Sequence, residues 1–154
     1  MKIGIIVHSQ TGNTYAVALK LQEKLLANGH TVTVERLKMT GGDKPGTGKM
    51  QIENAPDTGT YDALVFGAPV QAFSVSRGME AYLRQIPSLQ GKKVACFVTK
   101  GLAFHWTGGS QAIAKMKKIC ESKDGTICGT GIVVWNQQRE QTIATVVDAL
   151  SRCF

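Results

Sequence analysis

The chain has 154 residues, 43% of them hydrophobic, and its 18 Lys and Arg side chains outnumber 11 Asp and Glu to give a net charge of +7. A chain of this length is expected to fold as one domain, residues 1–154, without metal or disulfide support. The positive charge favours anionic partners. Nucleic acid is not expected, because no base-stacking aromatic residues are interleaved with the lysines.

The cysteines, the histidines and the lengths of the apolar runs argue against a disulfide-bonded, a metal-binding or a membrane-inserted protein. The four cysteines form no Cys-x-x-Cys pair, which favours reduced, mostly structural thiols. His8, His30 and His105 have no neighbouring cysteine or carboxylate cluster, so no metal ligands are predicted. No apolar stretch approaches the roughly 20 residues that cross a bilayer, and the first residues do not resemble a signal peptide. We therefore expect a cytoplasmic protein without membrane insertion.

The first third of the chain predicts two strands around one helix. Residues 3–7 are apolar and precede a hydroxyl-rich turn at 9–14. An amphipathic helix follows and is expected to stop at Asn28-Gly29. Residues 31–37 alternate in polarity and predict an edge strand. Residues 38–60 contain five glycines and two prolines, so the next helix of the pattern is expected to be short or replaced by a loop.

The remainder of the chain continues the alternation of strands and helices. Residues 61–69 predict a buried strand that Pro69 ends, and the next helix is expected to stop at Pro87. Residues 93–99 predict another strand, followed by a helix with Ser110 as its N-cap. Residues 127–135 predict the last strand, with a bend or bulge at its glycines. The final helix is expected after an Asn136 cap.

This alternation predicts an α/β fold. Strands and helices of these lengths form right-handed parallel crossovers, so helices cover both faces of an open parallel sheet. Five strands are sufficient for the sheet. The expected architecture is therefore a three-layer αβα sandwich around a five-stranded parallel sheet.

The most informative motif is the turn that follows the first strand. It supplies hydroxyl groups and backbone N–H groups at the start of a helix, where the helix dipole favours an anion. It contains no lysine or arginine and lacks the glycines of a dinucleotide loop, which excludes ATP, GTP and dinucleotide motifs. A single phosphate monoester fits the turn. The alternative is an ordinary capped helix start.

The pattern Ser9-Gln10-Thr11-Gly12-Asn13-Thr14 resembles the FMN phosphate loop of flavodoxins. The resemblance extends over the whole chain and implies the strand order 2-1-3-4-5, with FMN at the carboxyl ends of strands one and three. It implies that three loops hold the cofactor. The first loop would contribute Ser9, Gln10, Thr11, Gly12, Asn13 and Thr14, the second Ala68, Pro69, Val70, Gln71 and Phe73, and the third Thr99, Lys100, Gly101, Phe104 and Trp106.

Aromatic residues in the second and third loops are candidates for flavin contact. Phe73 is the aromatic residue available from the second loop, although a place in the core is an open alternative. In the third loop, Phe104 or Trp106 would cover the flavin, with core packing as the alternative for Trp106. Residues 67–79 and 99–120 contain no Asp or Glu but include Arg77, Lys100 and His105, so the flavin is expected in positively charged surroundings.

The resemblance implies an FMN-binding redox protein that transfers electrons through a partly exposed flavin. The alternative is an NAD(P)H-dependent quinone or flavin reductase of the same fold. A third hypothesis, a flavodoxin-fold protoporphyrinogen oxidase, is less well supported, because such enzymes resemble flavodoxins with a long insertion near the last strand and residues 125–135 leave no room for one. A binding module without a cofactor stays open as a fourth hypothesis. No catalytic residues are predicted. The expected partner is a redox protein or a small quinone or nicotinamide, in either case anionic.

Overall fold

The computed structural model describes residues 1–40, 51–71, 73–101 and 108–154. Four α-helices and eight strands are present in these ranges. The helices are α1 (Asn13–Ala27), α2 (Arg77–Gln85), α3 (Gly109–Ser122) and α4 (Arg139–Ser151). The strands are β1 (Lys2–Val7), β2 (Thr31–Arg36), β3 (Lys38–Thr40), β4 (Gln51–Asn54), β5 (Ala63–Gln71), β6 (Ser74–Val75), β7 (Lys93–Lys100) and β8 (Thr126–Val134).

Five strands form a parallel sheet in the order β2-β1-β5-β7-β8. Counted among the parallel strands alone, this is the order 2-1-3-4-5, so the predicted topology is confirmed. The last residue of β1, Val7, pairs with Arg36 of β2 and with Gly67 of β5. Because the strands are parallel, the chain segments that follow β1, β2 and β5 emerge at the same edge of the sheet. We call it the carboxyl edge.

Helices cover both faces of this sheet, which confirms the three-layer architecture. On one face α2 and α3 pack against the sheet through side chains such as Met79, Tyr82 and Met116. The rings of Phe66 and Tyr82 meet edge to face with centroids 6.3 Å apart. On the other face, α1 and α4 pack through side chains such as Val17 and Val146. The three central strands, β1, β5 and β7, are buried on both faces along most of their length, as the apolar run at 61–69 predicted for β5.

The last strand contains the predicted irregularity. Val94 of β7 pairs with Ile127 while Ala95 pairs with Gly129, so Cys128 is an extra residue in β8. Gly131 lies where α4 approaches closely, since a Cβ there would come within 2.5 Å of Val146. The bulge and the glycine together allow α4 to pack against this edge strand.

The segment at residues 38–60 contains strands that the sequence did not indicate. In its described part, β3 and β4 pair antiparallel as a separate two-stranded sheet, and a single 3₁₀ turn forms at Thr58–Thr60. The described part contains no α-helix, consistent with the expectation that the usual helix is shortened or replaced. Residues 41–50, which belong to this segment, lie outside the described residues.

The prediction that Pro69 ends its strand is wrong, because β5 continues to Gln71. Proline lacks the backbone N–H donor, but its carbonyl can still accept a hydrogen bond. The carbonyl of Pro69 accepts the N–H of Ser76 at 3.0 Å, and Val70 and Gln71 pair antiparallel with β6. The second predicted cofactor loop is therefore a short hairpin that leads directly into α2.

Two predicted helix caps are also wrong. The N-cap of α3 is Gly108, which donates its N–H to the side-chain oxygen of Gln111 at 2.8 Å. Because α3 begins at Gly109, Ser110 lies inside the helix. The N-cap of α4 is Gln138, and the side chain of Asn136 accepts its N–H at 2.9 Å in the preceding turn. In both places a glycine or turn geometry outweighed the usual cap preference. The stops at Asn28 and before Pro87 are confirmed.

Gly67 is a sensitive test of packing in this core. A Cβ at Gly67 would lie 2.2 Å from the ring of Phe97. We expect Gly67→Ala to lower the free energy of unfolding by about 1 to 3 kcal/mol, because the core must deform to admit a methyl group. The measurement is urea denaturation.

Gly101→Ala is the matched control, because no described atom lies within 4 Å of a Cβ at that position. Phe97→Leu in the Gly67→Ala background should recover part of the loss. Equal stability of the Gly67→Ala and Gly101→Ala variants would contradict the close approach of Phe97.

Candidate functional site

The turn after β1 ends in a glycine that starts α1. Gly12 is the N-cap residue and has φ 94° and ψ −8°, a left-handed conformation that glycine adopts without steric cost. Its carbonyl accepts the N–H of Ala16 at 2.9 Å as the first hydrogen bond of the helix. The helix therefore begins at the carboxyl edge, with its amino-terminal N–H groups directed along the helix axis, out of its first turn.

Ser9 occupies the inside of this turn. Its Oγ accepts the N–H of Gly12 at 3.1 Å and the N–H of Tyr15 at 3.2 Å. A helix start has four N–H groups without a partner in the helix, and Ser9 thus satisfies two of them. In the described part of the chain the other two, on Asn13 and Thr14, have no hydrogen-bond partner. They are the donors that an anion at this helix end can use.

The hydroxyl groups predicted to bind phosphate differ in their surroundings. Thr11 is exposed, as is Gln10. Thr14 is buried, and its hydroxyl shares a 2.7 Å hydrogen bond with the hydroxyl of Thr99. One proton lies between these two oxygens, so the pair retains a second O–H that can be donated. The contact ties the start of α1 to the end of β7 and brings residues of the first and third predicted loops together.

A glutamine joins the first and second predicted loops. The side chain of Gln71 donates to the Gln10 side chain at 2.8 Å and accepts the backbone N–H of Arg77 at 3.2 Å. Of the other residues predicted in the second loop, Ala68 is buried, whereas Pro69 and Val70 are half-buried. Ala68 therefore exposes no surface to a ligand.

Phe73 protrudes from the hairpin with 58% of its surface exposed. The alternative that Phe73 is a core residue is therefore wrong. Its backbone has φ 66°, an uncommon conformation for a bulky residue. A Cβ on Gly108 would come within 3.0 Å of the Phe73 Cα, so this glycine allows the hairpin to approach the start of α3. Contact of Phe73 with a flavin stays a prediction.

A buried histidine, His8, packs at the carboxyl edge between the end of β1 and the start of α2. The Nδ1 of His8 lies 2.7 Å from the Ser76 hydroxyl, which also accepts the N–H of Met79 as the N-cap of α2. A Cβ on Gly78 would come within 2.9 Å of the imidazole ring. His8 thus connects the end of β1 to the start of α2. Among the described residues no three His, Cys, Asp or Glu side chains form a group able to hold a metal ion.

The third predicted loop is described at its two ends. Thr99 and Lys100 are buried at the end of β7, and Gly101 is exposed. A Cβ on Gly109 would lie 3.5 Å from Cδ of Lys100, which places the lysine stem beside the start of α3. Loss of hydration lowers the pKa of Lys100 below the usual lysine value. Phe104 and Trp106 lie outside the described residues, as does His105.

The site includes a basic residue that was not predicted from the sequence. The side chain of Arg36, at the end of β2, donates from Nη2 to the carbonyl of Ser9 at 2.9 Å. No local pattern indicates this contact, since 27 positions separate the two residues. The expectation that β2 runs beside β1 could have suggested it, because the two strands then end side by side.

A separate cavity of about 750 Å³ lies between α1 and α4. Lysine and glutamate side chains of α1 line it together with Trp135, Arg139 and Asp148. The charged side chains along this groove are of both signs and largely exposed. None of the residues that the sequence predicts for the site lines this groove, so the turn at the carboxyl edge is the candidate site.

Comparison with solved structures shows that the chain has a flavodoxin-like fold. The oxidised Flavodoxin 2 from Bacillus cereus is 18% identical over 100% of both chains, with a TM-score of 0.74. The two-electron reduced flavodoxin of Megasphaera elsdenii is 23% identical, with a TM-score of 0.70, and the match covers 97% of this chain and 98% of that chain. A Lactobacillus acidophilus flavoprotein in complex with FMN is 16% identical, covering 94% and 97%, with a TM-score of 0.65. No protein-family model matches the sequence.

Ser76 and Ser110 provide a matched test of the helix starts at this edge. We expect Ser76→Ala to lower the free energy of unfolding by about 1 to 3 kcal/mol, because it removes the cap of α2 and a buried partner of His8. Ser110 lies exposed inside α3, so Ser110→Ala should change stability by less than about 0.5 kcal/mol. Both values come from chemical denaturation. A larger loss for Ser110→Ala would contradict the observed start of α3.

Proposed function

We propose that the protein binds FMN at the carboxyl edge and transfers electrons through it. The observation that carries this proposal is the start of α1, where the N–H groups of Asn13 and Thr14 have no partner in the described chain. The flavodoxin-like fold supports it, because ligands of such sheets bind at the carboxyl ends of the strands where the strand order reverses. In this sheet that point lies between β1 and β5.

The residues of the turn suit a terminal phosphate. Asn13 and Thr14 would donate their backbone N–H groups, and Thr11 would add an exposed hydroxyl. The positive end of the α1 dipole favours the same anion. Ser9 holds the turn in shape through Gly12 and Tyr15. The turn would thus recognise the phosphate end of the cofactor, while the hairpin after β5 and the segment after β7 would border the ring.

The surroundings of this edge are positively charged. When bound, FMN supplies the redox chemistry, and the protein contributes position and electrostatics. Residues 67–79 and 99–120 contain no acidic side chain, and Lys100 is buried at the end of β7. A buried cation stabilises negative charge that arrives nearby. The net charge of +7 also favours a partner with an acidic surface or an anionic small molecule.

The same positive charge favours a second candidate, an NAD(P)H-dependent quinone or flavin reductase. Such an enzyme needs an anionic second substrate beside the cofactor, and Lys100 with the acid-free loops would attract one. Steady oxidation of NADH or NADPH by the purified FMN-loaded protein with a quinone or free flavin as acceptor would establish the reductase. Reduction and reoxidation only with an added redox protein would support the electron carrier.

The first test of the proposal is the choice of flavin. We expect FMN to bind more tightly than riboflavin, because riboflavin lacks the phosphate, and more tightly than FAD, because no adenylate-binding segment is apparent. Thr11→Val should weaken FMN binding by about tenfold or more, as a hydrogen bond to a charged group contributes roughly 1.5 to 3 kcal/mol. Titrations followed by flavin fluorescence give the three affinities.

Thr130→Val, an exposed threonine on β8, is the control and should leave FMN affinity unchanged. Absence of FMN binding would exclude the proposal. Equal affinities for FMN and riboflavin would place the phosphate outside the turn.

A second test concerns the buried lysine. Removing a positive charge 8 to 10 Å from a redox centre costs on the order of 1 to 2 kcal/mol at an effective dielectric near 20, before salt screening. Lys100→Gln should therefore make the midpoint potential of bound FMN more negative by tens of millivolts, since addition of electrons is less stabilised. Spectroelectrochemical titration measures this shift. Lys123→Gln is the control, and an equal shift in both variants would contradict a local effect of Lys100.

A further inference from the structure

Arg36 reaches the phosphate turn from a neighbouring strand. It pairs with Val7 in the last step of the β1–β2 ladder, so β2 ends level with the beginning of the turn. Its side chain contacts the turn, where Nη2 donates to the carbonyl of Ser9 at 2.9 Å. A positive charge is thus placed at a turn whose own sequence contains none.

The position of this guanidinium is fixed from two sides. One is the hydrogen bond to Ser9, and the other is the ring of Tyr15, whose centroid lies 4.7 Å from Cζ of Arg36. Ser9 and Tyr15 are themselves joined by the 3.2 Å bond between the Ser9 Oγ and the Tyr15 N–H. The cation and the helix start therefore form one connected unit.

Most of the hydrogen-bonding capacity of Arg36 remains available. A guanidinium carries five N–H donors in a planar fork that matches phosphate oxygens. The bond to Ser9 uses one of them, and no ion pair of Arg36 occurs in the part of the chain that the structure describes. The preceding residue, Glu35, accepts a 2.6 Å hydrogen bond from the hydroxyl of Tyr61.

We propose that Arg36 is a specificity-determining residue of the flavin site, where its guanidinium recognises the phosphate and makes the site prefer FMN over riboflavin. The inference rests on the proposed binding of FMN and adds a residue that lies outside the hydroxyl-rich turn. The helix start alone offers neutral N–H groups. Arg36 adds a full charge whose attraction acts on FMN and has no counterpart in riboflavin.

A purely structural role of Arg36 would change the flavin affinities in a different way from a role in phosphate recognition. If Arg36 only fastened β2 to the turn, its loss would loosen the turn and weaken FMN and riboflavin alike. A recognition role predicts a selective loss of FMN. The ratio of the two affinities therefore separates recognition from support, and its dependence on salt reports the charge directly.

The experiment titrates FMN and riboflavin against wild type, Arg36→Gln, Arg36→Lys and the control Lys20→Gln, at low and high salt. Lys20 is an exposed cation of α1, so its removal matches the change in net charge. We expect Arg36→Gln to weaken FMN about tenfold or more and riboflavin less than twofold. The FMN affinity of the Arg36→Gln variant should also depend less on salt concentration than that of the wild type. Arg36→Lys should keep part of the preference, and Lys20→Gln all of it.

Three results would overturn the inference. Equal losses of FMN and riboflavin in both Arg36 variants would assign the arginine to structural support. An unchanged affinity ratio in Arg36→Gln would remove any role in recognition, and an equal effect of Lys20→Gln would assign the preference to net charge. If the wild-type protein binds FMN and one of these results is found, only the inference about Arg36 is overturned. Wild type that binds no FMN defeats the proposed function as well.

Discussion

The parallel pairing of β1 with both β2 and β5 is the constraint on which the candidate site depends. Val7 lies between Arg36 and Gly67 at the end of this ladder, so three chain segments leave the sheet at one place. The first enters α1, the second supplies Arg36, and the third becomes the hairpin before α2. A shift of one residue in any pairing would turn these side chains to the opposite face of the sheet. Register therefore determines which groups meet at the carboxyl edge.

A network of short polar contacts then holds the edge together. Ser9 fixes the turn, the hydroxyls of Thr14 and Thr99 connect α1 to β7, and His8 connects β1 to the cap of α2. These contacts satisfy buried polar groups and leave the N–H groups of Asn13 and Thr14 for a ligand. Asn13 and Thr14 are adjacent residues of the first turn of α1, so both N–H groups are directed out of the start of this helix. Preorganised donors of this kind gain affinity because less order must be imposed on binding. The described helices include none with the length and apolar character of a membrane span.

The sequence predicted those features that depend on local patterns. Continuous apolar runs indicated buried strands, the amphipathic pattern that ends at Asn28-Gly29 indicated α1, and the turn before it marked the candidate site. Predictions from the sequence were wrong or missing where tertiary contacts determine the local structure. Pro69 stays within its strand because a hairpin partner uses its carbonyl, Gly108 displaces Ser110 as a cap, and β3 pairs with a strand more than ten residues away. Arg36 could not be assigned to the site from its neighbours in sequence, because only the parallel ladder brings it to Ser9.

The most direct measurement of the central claim is the response of individual backbone amides to the phosphate. Proton and nitrogen chemical shifts of the assigned protein should be compared with FMN bound and with riboflavin bound at saturation. The difference isolates the phosphate, since the two ligands share the ring and ribityl chain. We predict that the largest differences occur at the amides of Asn13 and Thr14. Largest differences elsewhere, such as in the groove between α1 and α4, would contradict the assignment of this turn as the phosphate site.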